Sequence, residues 1–128
     1  MVIDTSAIMA ILLRGPEKDK FLVTLALAPS RIISAGTWFE TTVVVESWNG
    51  PKGAADLDRF IEDGGIEIIP FDTIQAQIAR EAYRRYGRGY HRAGLNIGDC
   101  FAYALSKHSG EPLLFKGNDF AQTDITAA

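Results

Sequence analysis

Apolar residues in this chain recur in two alternating rhythms, short runs that suit strands and longer stretches at helical spacing. Val2-Ile3 is a short apolar run ended by Asp4. Thr5-Ser6, residues suited to cap a helix, then lead into Ala7-Ile8-Met9-Ala10-Ile11-Leu12-Leu13. The pattern predicts strand, turn, helix. Gly15-Pro16 breaks it, and Glu17 to Ala28 reads as a second helix packed by Phe21, Leu22 and Leu25, although Leu22-Val23-Thr24-Leu25 alone also fits a strand. Pro29 closes that element. Arg31 to Ser34 reads as a strand, and Gly36 to Trp48 as a helix despite the β-branched run Thr41-Thr42-Val43-Val44-Val45.

Leu57, Phe60 and Ile61 place an amphipathic helix over Ala54 to Asp63, stopped by Gly64-Gly65. Ile66 to Ile69 reads as a strand before Pro70. Ile74, Ile78, Ala79, Ala82, Tyr83 and Tyr86 form a helical stripe that ends at Gly87. Gly87 to Gly98 reads as a loop, Asp99 to His108 as a helix, Pro112 to Phe115 as a strand, and a last short strand is expected around Asp124-Ile125. Strands separated by helices predict an α/β fold in three layers, with a mostly parallel central sheet of four to five strands flanked by helices. Residues 1–128 fit a single domain.

Composition narrows the class. Hydrophobic residues make up 47% and charged residues 23%, enough apolar surface for a core. No apolar run approaches the roughly 18–20 residues of a membrane span. The opening segment has neither the basic flank nor the cleavage site of a signal peptide, so a cytoplasmic protein is expected. One cysteine, Cys100, excludes an internal disulfide and a multi-thiolate zinc site. With no nearby base, it reads as a small buried residue, and Trp38 and Trp48 read as core or dimer surface. The net charge of -3 argues against a surface that clings to nucleic acid everywhere. Between Arg80 and Arg92, however, stand five arginines against Glu81 alone, a local +4 that leaves -7 for the rest of the chain.

The acids carry the candidate chemistry. In open α/β sheets, ligands bind beyond the carboxyl ends of the strands. Asp4 directly follows the first strand, Asp119 follows the strand ending at Phe115, Asp99 opens a helix after a glycine loop, and Glu40 lies about one turn into another helix. All four can reach one place. Each sits among apolar neighbours that penalise a lone carboxylate, and a hard divalent cation removes that penalty. Each acid alone has a plainer reading: Asp4 and Asp99 as helix caps, Glu40 as a solvated helix acid, Asp119 as turn chemistry.

Val2-Ile3-Asp4-Thr5-Ser6-Ala7, then Tyr86-Gly87-Arg88-Gly89 through His91 to Ala93-Gly94-Leu95-Asn96-Ile97-Gly98-Asp99-Cys100-Phe101-Ala102-Tyr103-Ala104-Leu105, then Leu113-Leu114-Phe115-Lys116-Gly117-Asn118-Asp119-Phe120 resemble the PIN-domain ribonuclease toxins of the VapC type. The resemblance covers essentially the whole chain. It implies the toxin of a type II toxin–antitoxin pair, a Mg²⁺-dependent endoribonuclease in which Mn²⁺ can substitute, a homodimer, and a cognate VapB-type antitoxin through which alone DNA is met. The family's acids fall on Asp4, Glu40, Asp99 and Asp119, with Asp4 and Asp99 implied as metal ligands. Where many PIN domains carry an acid, this chain has Gly117, which leaves Asp119 a more distant or water-mediated ligand with Asn118 or Asp124 assisting. Ser6 is implied beside the metal, and Thr5 and Asn96 behind the ligands, although Asn96 equally suits a role in shaping the loop.

Water attacking in line at phosphorus would leave 5′-phosphate and 3′-hydroxyl ends. Arg85, Arg88 and Arg92 flank the loop leading to Asp99 and are expected to hold RNA phosphates at the rim, whereas Arg80 and Arg84 can instead pair with Glu81. His91 is expected to face substrate or solvent, and His108 to cap its helix. Two other readings stay open: an inactive PIN-like RNA-binding module, and a PIN-like nuclease acting on DNA. A phosphoacceptor receiver domain fits poorly, because Asp4 has no acidic neighbour.

Overall fold

A computed structural model describes residues 1–128. Four strands, β1 (Val2–Ile3), β2 (Ile32–Ser34), β3 (Glu67–Ile69) and β4 (Leu113–Leu114), form one sheet in the order β3-β2-β1-β4, and every pairing is parallel. Parallel neighbours need long crossovers. Helices supply them: α1 (Thr5–Leu12) and α2 (Lys18–Leu27), then α3 (Ala35–Asn49) and α4 (Pro51–Asp63), then α5 (Thr73–Tyr86) and α6 (Ile97–Ser109). The chain steps outward from β1 through β2 to β3 and then returns to the far side of β1. The switch in direction therefore lies between β1 and β4, where open α/β sheets place their ligands.

The strands are short, and period-two alternation sorts them between two cores. Ile3, Ile33 and Leu114 face the first, with Ile8 and Ile11 of α1, Phe21 and Leu25 of α2, and Leu57 and Ile61 of α4. Val2 and Leu113 face the second, with Tyr86 of α5, Ala102, Tyr103 and Leu105 of α6, Leu95 and Phe120. Three layers result. No helix is long and apolar enough to cross a membrane.

Helix boundaries shift where side chains cap them. Asp4, not Thr5 or Ser6, caps α1; Ser34 caps α3, and Asp72 caps α5. Pro51 opens α4 earlier than the expected Ala54, because proline at the first helical position loses no hydrogen bond. Helix α6 starts at Ile97 rather than Asp99, for Asn96 and Asp99 form a reciprocal capping box. The expected strand at Asp124-Ile125 does not form. Asp124 lies in a turn, drawn by its side chain to Tyr103 and Lys107, and the tail meets the sheet only where Ala127 bridges Leu113. The sheet therefore has four strands.

Gly53 lets α4 lie against α3, since a Cβ there would collide with the Val45 carbonyl. Gly53→Ala gains about 1 kcal/mol of helix propensity, against an overpacking cost of about 1–3 kcal/mol. The clash is with backbone, which cannot rotate away, so net destabilisation is expected in urea titration. An unchanged or raised midpoint would mean that the α3–α4 contact gives freely.

Candidate active site

Asp4 ends β1 and is nearly inaccessible, at 3% exposure. Its Oδ2 accepts the Ser6 backbone N–H at 2.9 Å and the Ser6 hydroxyl at 2.6 Å, while Oδ1 is buried with no partner. The Ser6 hydroxyl oxygen also accepts the Lys116 N–H at 2.9 Å. Ser6 thus ties the end of β1 to the loop after β4, across the switch point. Burial pushes the Asp4 carboxyl up to about 6; the Ser6 hydrogen bonds oppose this, and the charges of Asp99 and Glu40 add to it.

Glu40 reaches the same edge from α3. Thr5 donates to its Oε1 at 2.6 Å and shares a 2.9 Å hydrogen bond with Thr41. The other carboxylate oxygen lies directly over Gly98, so closely that any Cβ at that position would overlap it. Glu40 therefore rests on the first turn of α6, where the helix dipole favours negative charge.

Asp99 is held from behind. Its Oδ2 accepts the Asn96 N–H at 2.9 Å, and its own N–H donates to the Asn96 side chain at 2.8 Å. Its carboxyl also rises to about 6, chiefly through burial; Asp119 and Glu40 raise it further, while the Asn96 hydrogen bond and Arg88 pull it down. Asp119 is exposed in the loop after β4. Asp99 therefore feels all three other acids or is felt by them, so the four expected residues converge electrostatically. No three form a ready-made cage for an ion. A Mg²⁺-type site does not need one, since that ion keeps most of its water and takes one or two carboxylates.

Other expected residues scatter. Asn118 is exposed in the turn, its carbonyl accepting from Gln122. Gly117 adopts φ +102°, a conformation in which a side chain is strained, so this backbone disfavours an acid there. Asp124 stands apart from the acids: it accepts from Tyr103 at 2.6 Å and from Lys107 at 3.1 Å, and faces Arg85 at 3.8 Å. Arg88 acts on Asp99, whereas Arg85 leans over the Tyr86 ring, and Arg92 is exposed. Arg84 pairs with Glu81. His91 does not simply face outward; its Nδ1 accepts the Ala93 N–H, and its ring packs edge-on against Tyr86. Burial, then the Asp99 charge, pushes the Cys100 thiol up to about 11, leaving it a poor nucleophile. Gly98 was the functional position that residue-type reasoning passed over. A glycine in the first turn of a helix, directly before an acid, was the available signal.

The two largest concavities, each about 540 Å³, lie away from these acids, one between α2 and α4 and one between α5 and α6. A site for a long polymer does not require a deep pocket, so the acid cluster and not the larger cavity identifies the chemistry. Comparison with known proteins agrees. The PIN domain family model matches residues 1–125, and Ribonuclease VapC of Mycolicibacterium smegmatis is 49% identical over 127 residues, covering 99% of this chain and 98% of that protein.

The chain belongs to the VapC ribonucleases of the PIN-domain family.

Ribonuclease VapC30 of Mycobacterium tuberculosis is 46% identical over 125 residues, spanning 98% of this chain and 95% of its own length. Two solved structures share the fold. The crystal structure of M. tuberculosis VapC20, described as a Sarcin-Ricin loop cleaving toxin, superposes with a TM-score of 0.79 at 15% identity, covering 99% of this chain and 97% of that one. A toxin–antitoxin complex from Klebsiella pneumoniae gives 0.71 at 20% identity, covering 99% and 95%. The PIN-like α/β architecture is thus retained where sequence similarity has largely gone.

The raised carboxyls of this VapC protein fix a sign for its pH dependence. Asp4 and Asp99 ionise less readily folded than unfolded, so their contribution to stability is complete below about pH 4 and is lost as pH rises through about 6. Asp99→Asn keeps an acceptor for the Asn96 N–H and removes the charge. In EDTA, its Tm relative to the unmodified protein should rise between about pH 4 and about pH 7. A constant difference across that window would show that the Asp99 carboxyl is not raised.

Proposed function

We propose that this VapC-family ribonuclease toxin hydrolyses RNA phosphodiester bonds with the help of a divalent cation, Mg²⁺ or Mn²⁺, held by Asp4 and Asp99. One observation carries the reading. Asp4 keeps an unpartnered carboxylate oxygen buried beside other acids, an arrangement that a bound cation would satisfy. The donor set is all oxygen, which suits a hard ion rather than zinc or copper.

When bound, such an ion supplies Lewis-acid chemistry, lowering the pKa of a water and offsetting phosphate charge. The chain's own residues prepare for it. Ser6 fixes one oxygen of Asp4 and leaves the other uncommitted, and Asn96 aims Asp99 from the helix end. Glu40, anchored by Thr5 and seated over Gly98, orients the attacking water or takes its proton. Asp119, exposed at the rim, acts through water. Arg88, whose charge pulls the Asp99 carboxyl down, is the cation that meets a flanking phosphate.

The partner of this toxin is an antitoxin, in keeping with the Klebsiella pneumoniae complex that shares its fold. A VapB-type antitoxin would place a basic side chain among these acids and so exclude both cation and phosphate. The toxin works as a homodimer in the cytoplasm and meets DNA only through that antitoxin.

Asp4→Asn and Asp99→Asn should each lower Mg²⁺-dependent RNA cleavage by roughly 100-fold or more, and Asp119→Asn by distinctly less. Gel assays on RNA and DNA, with Mg²⁺, Mn²⁺ or EDTA, check this. Full activity of Asp99→Asn, or equal activity in EDTA, would end the metal-nuclease reading, and DNA cleavage without RNA cleavage would reassign the substrate. Sedimentation should find a dimer at micromolar concentration; a monomer would reject that assembly.

A further inference from the structure

A second basic feature lies outside the acid site and is not used by the mechanism. Between α5 and α6 runs an open groove of about 540 Å³ whose lining includes Arg84, Arg85, Lys107, Tyr103 and Ile78. Three cations there face one lining acid, Glu81, which Arg84 engages at 2.9 Å. The other two cations, Arg85 and Lys107, both turn toward Asp124 of the C-terminal tail, at 3.8 and 3.1 Å. They remain well exposed, at 67% and 41%, so these pairs are in water and easily exchanged for another anion.

The groove is set apart from the proposed catalytic edge but shares helix α6 with it. Asp99, Tyr103 and Lys107 are spaced by four residues on α6, so Lys107 stands about 12 Å from Asp99 along the helix axis, within reach of a few nucleotides. Arg88 lies two residues beyond the end of α5, and its charge acts on Asp99. Cations thus mark a path from Lys107 and Arg85 to Arg88 and the acids. A chain with net charge -3 has few such paths.

We infer that the α5–α6 groove carries the phosphate backbone of the RNA strand flanking the cleaved bond, and that Asp124 is a stand-in anion which the RNA displaces from Arg85 and Lys107. This rests on the ribonuclease reading above and adds to it a place for the flanking strand and a residue that sets affinity. Asp124 draws the two cations together at the groove's edge in the free protein, and its charge competes with the strand for the same donors. The Tyr103 hydroxyl keeps the Asp124 carboxylate in place at 2.6 Å.

The test is a double-mutant cycle on RNA binding, read in EDTA by fluorescence anisotropy with a short labelled single-stranded RNA. Asp124→Asn retains an acceptor for Tyr103 and should lower the Kd severalfold. Asp58→Asn, the same charge change at an exposed position on α4, should lower it by distinctly less. Arg85→Ala and Lys107→Ala should each weaken binding and reduce the slope of log K against log salt by about 0.7. In the background lacking both cations, the effect of Asp124→Asn should shrink to that of Asp58→Asn. The inference is overturned if Asp124→Asn matches Asp58→Asn in the unmodified background, if its gain persists without Arg85 and Lys107, or if it only lowers Tm, the mark of a purely structural tie. Cleavage by the unmodified protein in Mg²⁺, run in parallel, reports on the ribonuclease reading alone, so the two can fail separately.

Discussion

Burying the Asp4 carboxylate at the end of β1 is the constraint around which the catalytic edge is arranged. A charged group in that position faces desolvation and the like charges of Asp99 and Glu40, and its pKa rises in consequence. Neighbouring residues limit that cost without removing it. Ser6 gives Asp4 two hydrogen bonds, Thr5 gives Glu40 one, and Asn96 gives Asp99 one. Ser6 and Asn96 lie within three residues of the acids they serve, whereas Thr5 reaches Glu40 from α1 across the fold, so the carboxylates are aimed before any ligand arrives.

Topology explains why these acids meet. The sheet order reverses between β1 and β4, and the loops leaving those strands separate there. Ser6 spans the gap through its hydrogen bond with the Lys116 N–H. From the other side, α3 and α6 approach closely because Gly98 leaves room for Glu40. A side chain at Gly98 would displace Glu40, which makes this glycine part of the acidic site although it carries no chemistry.

Charge is divided between two neighbouring regions. The acids repel RNA unless a cation intervenes, whereas the end of α5 and the loop after it carry the arginines. Only some of these cations are free. Arg84 is spent on Glu81, Arg85 is shared with Tyr86 and Asp124, and Arg88 acts on Asp99. The basic segment is therefore a mixture of engaged and exposed cations rather than a uniform patch.

Sequence alone determined the α/β class and the number of principal strands, because alternation, helical stripes and caps are local properties, and it offered the four acids as candidates through their likeness to the PIN-domain toxins. The same locality explains its errors. Asp124-Ile125 has strand-like composition, but the attraction of Asp124 to Tyr103 and Lys107 exists only once the tail lies against α6. His91, expected to face substrate or solvent, is half-buried, and its packing against Tyr86 likewise exists only in the folded chain. Tertiary structure alone decided that Glu40 rests over Gly98, that the Arg88 charge lowers the Asp99 carboxyl while Arg85 turns to Asp124, and that Asp4 keeps one buried oxygen without a partner. Each depends on the distance between groups far apart in the chain, and both desolvation and Coulomb energy are set by such distances and not by residue order.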